Sequence, residues 1–282
     1  MNHNFIPGRR HCLGLLGGAF AAPHLLAQPG DTALARIRQR GSLQVALYQD
    51  MPPFHANGSG IDVELARALA ERLGVSLSLM PFNAGEDMGD DLRNAVWRGH
   101  YLGWGPADVL MHVPVDRPLM EANPRVQILA PYYRESVALA WDKRALPRGV
   151  ESLAELRGVP TAVAGQSLAG WLLIGAEDGA LRESLRTTWP DGTAAAQALK
   201  AGGVGAAAGL QSELESVLAG DDRFVITPLP SPRAPRSGWA VGLAVKKESG
   251  ELALALQQAM GELAASSKLQ TAFAAQHVRW RL

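Results

Sequence analysis

Residues 41–74 read GSLQVALYQDMPPFHANGSGIDVELARALAERLG, and their pattern is strand, loop, helix. Leu43, Val45 and Leu47 alternate with Gln44, Ala46 and Tyr48, the period of two that turns one face of a strand inward. Pro52 and Pro53 lack the amide hydrogen a ladder needs, so they end that strand. Gly58 and Gly60 permit a tight turn, and Asp62 stands where a helix N-cap or first-turn acid belongs. Ile61, Leu65, Leu69 and Leu73 follow at four-residue steps, with Asp62, Glu64, Arg67 and Glu71 off that stripe, and Gly74 marks the helix stop. Open α/β sheets bind ligands in the crevice outside the carboxyl ends of their strands. The loop after Tyr48 is therefore a candidate ligand loop, although the same pattern also describes an ordinary strand–helix unit.

Three segments carry a further likeness: Arg40-Gly41-Ser42-Leu43-Gln44-Val45, Asp50-x-Pro52-Pro53-Phe54, and Gly60-Ile61-Asp62-Val63-Glu64-Leu65-Ala66. Together they resemble the opening of the family 3 periplasmic solute-binding proteins, the receptor subunits of polar amino-acid ABC importers. The resemblance returns at Ala107-Asp108-Val109-Leu110-Met111, at Ala130-Pro131-Tyr132-Tyr133, and at Val204 to Leu210. It implies an α/β, two-lobed periplasmic binding protein-like fold (type II) with two crossover strands, near Ser136–Trp141 and Gly238–Lys246. On that reading residues 31–136 plus 246–282 form one lobe and 137–245 the other, with the ligand between them and closure by a hinge.

Composition agrees with an exported globular protein. The chain has 282 residues, 47% hydrophobic and 19% charged, with a formal net charge of zero, so nothing in it points to nucleic acid as a partner. Gly8-Arg9-Arg10-His11-Cys12-Leu13 precedes a short apolar run that ends in Leu25-Leu26-Ala27. This is the n-region, h-region and small-residue end of an export signal over residues 1–27, and the paired arginines resemble a twin-arginine signal. Its cleavage removes Arg9 and Arg10 and no acid, taking the net charge from 0 to −2, and removes Cys12, the one cysteine. The expected product is a periplasmic monomer with no disulfide and no cysteine chemistry.

No cofactor or metal is expected. After residue 27 the histidines are His55, His100, His112 and His277, and no two lie at the i,i+4 spacing of a helical metal site. Ser167 lies in Ala-Gly-Gln-Ser-Leu-Ala-Gly, which is not a nucleophile elbow.

The candidate ligand residues come from both halves. Tyr48, Asp50 and Phe54 come from the first strand and the loop after it, Trp104 lies in the glycine-rich loop Gly99–Pro106, and His112 lies near the end of the short apolar strand Ala107–Val113. Arg117 falls near the place where amino-acid receptors of this family clamp a ligand carboxylate, three residues short of the usual spacing and without the usual hydroxyls. A surface arginine beside Asp116 fits those residues equally well. Gln166 and Ser167 open a helix whose free N–H groups suit an anion, unless Ser167 merely caps it. Gln211 follows the small-residue strand where the family carries an aspartate for the ligand ammonium, and no acid appears there before Glu213. A buried ammonium with no carboxylate is costly. The expected ligand is therefore a small polar or anionic metabolite, and the expected partners are ABC importer membrane subunits. Two alternatives remain open. One is an accessory protein of a periplasmic quinoprotein dehydrogenase, whose receptor-like companions carry a run similar to Pro131-Tyr132-Tyr133-Arg134. The other is a cyclohexadienyl dehydratase-like enzyme using His112 or a cleft carboxylic acid as acid/base. The residues give no positive sign of an enzyme.

Overall fold

The computed structural model describes residues 32–282. The expected export signal, Cys12 and Asp31 lie outside the described residues.

Two five-stranded sheets carry the architecture. The first half of the chain runs α1 (Ala33–Arg40), β1 (Ser42–Tyr48), α2 (Ile61–Leu73), β2 (Ser76–Phe82), α3 (Met88–Leu92), β3 (Val109–Pro114), α4 (Arg117–Ala122) and β4 (Val126–Glu135). It then crosses into β5 (Val137–Asp142), β6 (Thr161–Val163), α5 (Leu168–Ile174), β7 (Leu185–Arg186), α6 (Gly192–Lys200), β8 (Ala206–Leu210), α7 (Gln211–Leu218) and β9 (Phe224–Pro228). It returns through β10 (Trp239–Lys246) to α8 (Gly250–Ala265) and α9 (Lys268–Ala274).

The strand orders are β2-β1-β3-β10-β4 and β7-β6-β8-β5-β9. In each sheet three strands are parallel, and the fourth runs antiparallel to both of its neighbours. That fourth strand is in both cases the one that has just crossed over, β10 in the first sheet and β5 in the second. The two lobes are therefore built to one plan and joined twice. Residues 239–245, expected in the second lobe, join the first sheet, because β10 lies between β3 and β4.

The opening unit forms as its pattern requires. Leu43, Val45 and Leu47 are buried, as are Ile61, Leu65, Leu69 and Leu73 on α2. Gly74 ends α2 in the left-handed conformation, returning its N–H to Ala70 and Glu71. The N-cap of α2 is Gly60 rather than Asp62, at φ 131°. A side chain is impossible there, since a Cβ would lie 2.3 Å from the Phe54 carbonyl oxygen.

Three helical stretches are irregular. The apolar stripe Leu252, Leu256, Met260 and Leu263 continues to Leu269 across a break at Ser267, whose φ is 59°, so that α8 and α9 are separate. Residues 147–157 hold only a 3-10 turn at Leu153–Leu156. Residues 88–97 divide into α3 and a π-helical turn at Arg93–Trp97.

Candidate functional site

The parallel strands of both sheets end toward the loops that carry most of the candidate residues. On the first lobe β1 leads into the segment 49–60, which folds back on itself. Met51 and His55 exchange backbone bonds at 2.8 and 2.9 Å, and Asp62 N–H donates to the Phe54 carbonyl at 3.0 Å. Phe54 is thereby driven into the core, 1% exposed, with its ring 4.1 Å from His112 and 5.7 Å from Tyr133. It supports the site from beneath instead of lining it. Asp50 stays exposed.

Behind Phe54 lies a buried polar group. Tyr132 donates its hydroxyl to Asp62 Oδ1 at 2.7 Å and accepts from the His112 backbone N–H at 3.1 Å. His112 Nδ1 stands 3.4 Å from Asp62 Oδ2. Burial, followed by the Asp62 charge, raises the Tyr132 phenol well above its ordinary range, so it remains a donor to the carboxylate. His112 itself adopts φ 60°, a left-handed conformation uncommon for a non-glycine residue.

Tyr48 and Trp104 turn elsewhere. The Tyr48 hydroxyl donates to Asp91 Oδ2 at 2.9 Å, and its ring lies 4.9 Å from Phe82. Burial raises Asp91 above the usual carboxylate range, opposed by the Gly85 N–H and the Tyr48 hydroxyl. Trp104 stacks on His100 at 4.6 Å and leans on Phe82 at 5.4 Å. These rings form a continuous row beside α3. Arg117 heads α4 with its side chain 88% exposed and its Nε 2.7 Å from Glu121, so the surface reading of this residue describes its surroundings.

The second lobe holds a polar cavity of about 400 Å³, lined by residues 164–167, residues 187–191 and Glu213. Gln166 and Ser167 line it. The Ser167 hydroxyl, however, accepts from Gly170 N–H at 3.1 Å and donates to the Ala164 carbonyl at 2.8 Å, so it is occupied as the cap of α5. Four residues with no counterpart among the sequence candidates complete the lining: Thr187, Thr188, Trp189 and Asp191. The Trp189 indole Nε1 is buried with no hydrogen-bond partner. Asp191 caps α6, accepting from Ala194 N–H at 2.7 Å.

Glu213 is the acid of this cavity. Its Oε2 accepts from Leu210 N–H at 2.7 Å. Burial pushes the carboxyl up to about 7, against the pull of the Leu210 and Gly192 amides and with help from the charges of Glu135 and Asp191. Gln211 is not part of this cavity. It bonds the first crossing, accepting from the Ser136 hydroxyl at 2.7 Å, and donates to Glu215 at 3.0 Å. The two lobes meet at the α6 N-terminus, where the Thr193 hydroxyl donates to the Pro52 carbonyl at 3.4 Å.

The crossing itself is tied down. Glu135 is fully buried and accepts from Ser136 N–H at 2.8 Å and from the Ser212 hydroxyl. The C-terminal tail adds a third, non-covalent strap. Trp280 donates to the Tyr132 carbonyl at 2.8 Å, while Arg279 N–H donates to Glu215 on α7 at 3.0 Å. Among the described residues no group of three or more His, Cys, Asp or Glu is placed to hold a metal, and no helix is long and apolar enough to cross a membrane.

Two α/β lobes joined by two crossings, with polar loops facing each other, define the class: this is the two-lobed fold of the periplasmic substrate-binding proteins. Solved structures that share it include substrate-binding proteins of amino-acid transport. An ancestral cationic amino acid solute-binding protein aligns over 87% of this chain and 100% of its own, with a TM-score of 0.66 and 20% identity. An arginine-bound amino acid ABC transporter substrate-binding protein from Streptococcus pneumoniae aligns over 89% and 100%, with a TM-score of 0.60 and 18% identity. A solute receptor for L-cysteine from Neisseria gonorrhoeae aligns over 87% and 93%, at 0.56 and 19%. Among curated proteins, the L-cystine-binding protein TcyJ of Escherichia coli is 35% identical over 80 residues, which span 26% of this chain and 30% of that protein. No family model matches the chain.

Proposed function

We propose that this chain is an exported substrate-binding protein that captures a small polar solute between its lobes and delivers it to the membrane subunits of an ABC importer. The observation that carries the reading is the polar cavity of the second lobe, whose lining ends at Asp191, two residues before the point where Thr193 meets Pro52 of the first lobe. A crevice formed by two hinged sheets at the ends of their strands suits capture and release.

The cavity also bears on the solute. Its lining holds two carboxyl groups, Asp191 and Glu213, and no lysine, arginine or histidine. The hydroxyls of Thr187 and Thr188 add donors. An anionic end seated here would face two acids without a cation, which is costly. A hydroxyl- or amine-bearing end would find acceptors at Glu213 and Asp191. Of the small polar or anionic metabolites expected, the reading therefore favours a neutral or amine-bearing polar one. The acid absent just after β8 is supplied three residues later, from α7.

The test is a thermal-shift screen of the exported protein against amines, polyols, amino acids and dicarboxylates. A solute at about 100 times its dissociation constant adds roughly 2.7 kcal/mol. Stabilisation by dicarboxylates alone would exclude this assignment of the cavity.

A further inference from the structure

A second cavity, of about 340 Å³, lies at the crossings themselves. Its wall comes from both connections and the tail: Arg134, Ser136 and Val137 from the first, seven of the residues between 228 and 237 from the second, and Arg281 from the C-terminus. Three arginines, Arg134, Arg236 and Arg281, line it, and no acidic residue does.

Two of the three are fixed in place. Arg134 donates its backbone N–H to the Arg281 carbonyl at 2.9 Å, which sets the two residues side by side. Its guanidinium holds the Ser237 carbonyl at 3.2 Å, and Arg281 is held by the Tyr133 hydroxyl at 2.9 Å and by Glu215. Among the described residues the Arg236 side chain makes no hydrogen bond or ion pair. Each guanidinium has five N–H donors, so most of those around this cavity are unused. Glu215 answers one of the three charges, and the charges of Arg134 and Arg236 have no carboxylate partner among the described residues. Like charges gathered on one cavity repel, and an anion among them converts the repulsion to attraction. Guanidinium forks match the oxygens of a tetrahedral oxyanion in geometry as well as charge. Ser136, Ser231 and Gln211 supply neutral polar groups around the same space.

We propose that this cavity is a binding site for a phosphate-type tetrahedral dianion, seated across both crossings and separate from the solute crevice. Such an ion joins the first crossing through Arg134, the second through Arg236 and the tail through Arg281. It thereby holds the hinge in the arrangement described here, and by linkage its occupancy and solute affinity affect each other.

The proposal does not depend on the identity of the solute, and its test uses none. Inorganic phosphate is titrated calorimetrically into the folded protein, with chloride keeping the ionic strength constant. The expected result is one saturable site, weakened about tenfold or more in Arg236→Glu, as loss of a charge-assisted bond requires. Arg134→Ala is expected to weaken it similarly, and Arg236→Lys to retain most of it. Because Arg236 has no internal partner, its variants should unfold at the wild-type midpoint in chloride. Sulfate should compete and acetate should not. Sedimentation with phosphatidylglycerol vesicles separates the sources: phosphate binding without sedimentation assigns a soluble ion, and Arg236-dependent sedimentation assigns a lipid phosphate. The proposal is overturned if neither is seen, or if Arg236→Glu binds phosphate as the wild type does.

Discussion

The two lobes share a strand plan and differ in what fills it. The first lobe packs Leu43, Val45, Leu47, Leu65 and Leu69 against a buried aromatic group of Phe54, Tyr132, Tyr133 and Phe273. The second has a leucine- and tryptophan-bearing core of Leu139, Trp141, Leu156 and Leu173 on one side of its sheet, and on the side of α6 it packs alanine on alanine: Ala138 and Ala140 on β5, Ala162 on β6, Ala207 on β8, and Ala195 and Ala196 on α6, bounded by Leu199, Leu214 and Phe224. One topology thus tolerates very different side-chain volumes, provided each core is close-packed. The consequence for function is distance. Small residues let the start of α6 approach β8 closely, which brings Asp191 and Glu213 to one cavity. The first lobe, filled by rings, instead turns its polar groups inward to one another, as Tyr132, Asp62 and His112 do.

The largest expected effect falls on the ring-filled core. Phe273 is fully buried and stacks on Tyr133 at 4.7 Å. Phe273→Ala should cost about 3–5 kcal/mol in urea unfolding. A loss below about 1 kcal/mol would mean that the aromatic cluster can collapse around the gap, and the contrast between the lobes would fail.

A smaller but sharper contrast uses one substitution in both lobes. An added Cβ at Gly209 would stand 2.8 Å from the Gly192 Cα and 2.9 Å from Glu213 Oε2. At Gly261, within α8, it would meet nothing within 4 Å. Gly209→Ala should therefore destabilise by about 1–3 kcal/mol, whereas Gly261→Ala should stabilise by about 0.4–1 kcal/mol. Equal signs in equilibrium unfolding would show that the approach of α6 to β8 is not as tight as described.

The same contrast explains how far the chain could be read from its residues. The opening unit was legible because local pattern and burial agree: Leu43, Val45 and Leu47 alternate, and Ile61 to Leu73 form a stripe. The turn from α8 to α9 was hidden, since the apolar stripe Leu252, Leu256, Met260 and Leu263 runs on to Leu269 and nothing local marks Ser267 as left-handed. The site was half legible. Gln166 and Ser167 were visible because a helix start has a signature. Thr187 to Trp189 come from a loop whose neighbours are set by long-range packing, and Glu213 reaches the cavity because Gly192 and Gly209 leave room for it. Tyr48, Phe54 and Gln211 looked free in the sequence but are committed to Asp91, the core and Ser136. No spacing rule reveals which partner a polar or aromatic residue will find.

The acid of the second lobe gives a pH signature. Glu213 is raised to about 7 in the folded protein from an ordinary 4.5. Its protonated form is thus favoured by folding, and the associated stability is fully present below 4.5 and lost as pH rises through 7. Glu213→Gln should remove that decline, so the unfolding midpoints of variant and wild type should part between these limits. Parallel pH profiles would assign the decline to another group.

The smallest effect is expected at Arg117, and it decides whether the first lobe contributes a charge to solute capture. A clamp must hold its guanidinium free of internal partners, or bonded in a way that aims it at the crevice. Arg117 does neither, because its Nε is committed to Glu121 one turn along α4 while the side chain stands in solvent. Exposed pairs of this kind are worth about 0.3–0.5 kcal/mol. Arg117→Ala should lower stability by no more than that and leave solute affinity within about twofold. A loss of about 1.5–3 kcal/mol in solute binding, the worth of a charge-assisted hydrogen bond, would show that Arg117 swings from Glu121 to the solute on closure. Recognition would then be shared between the lobes instead of concentrated in the alanine-built one.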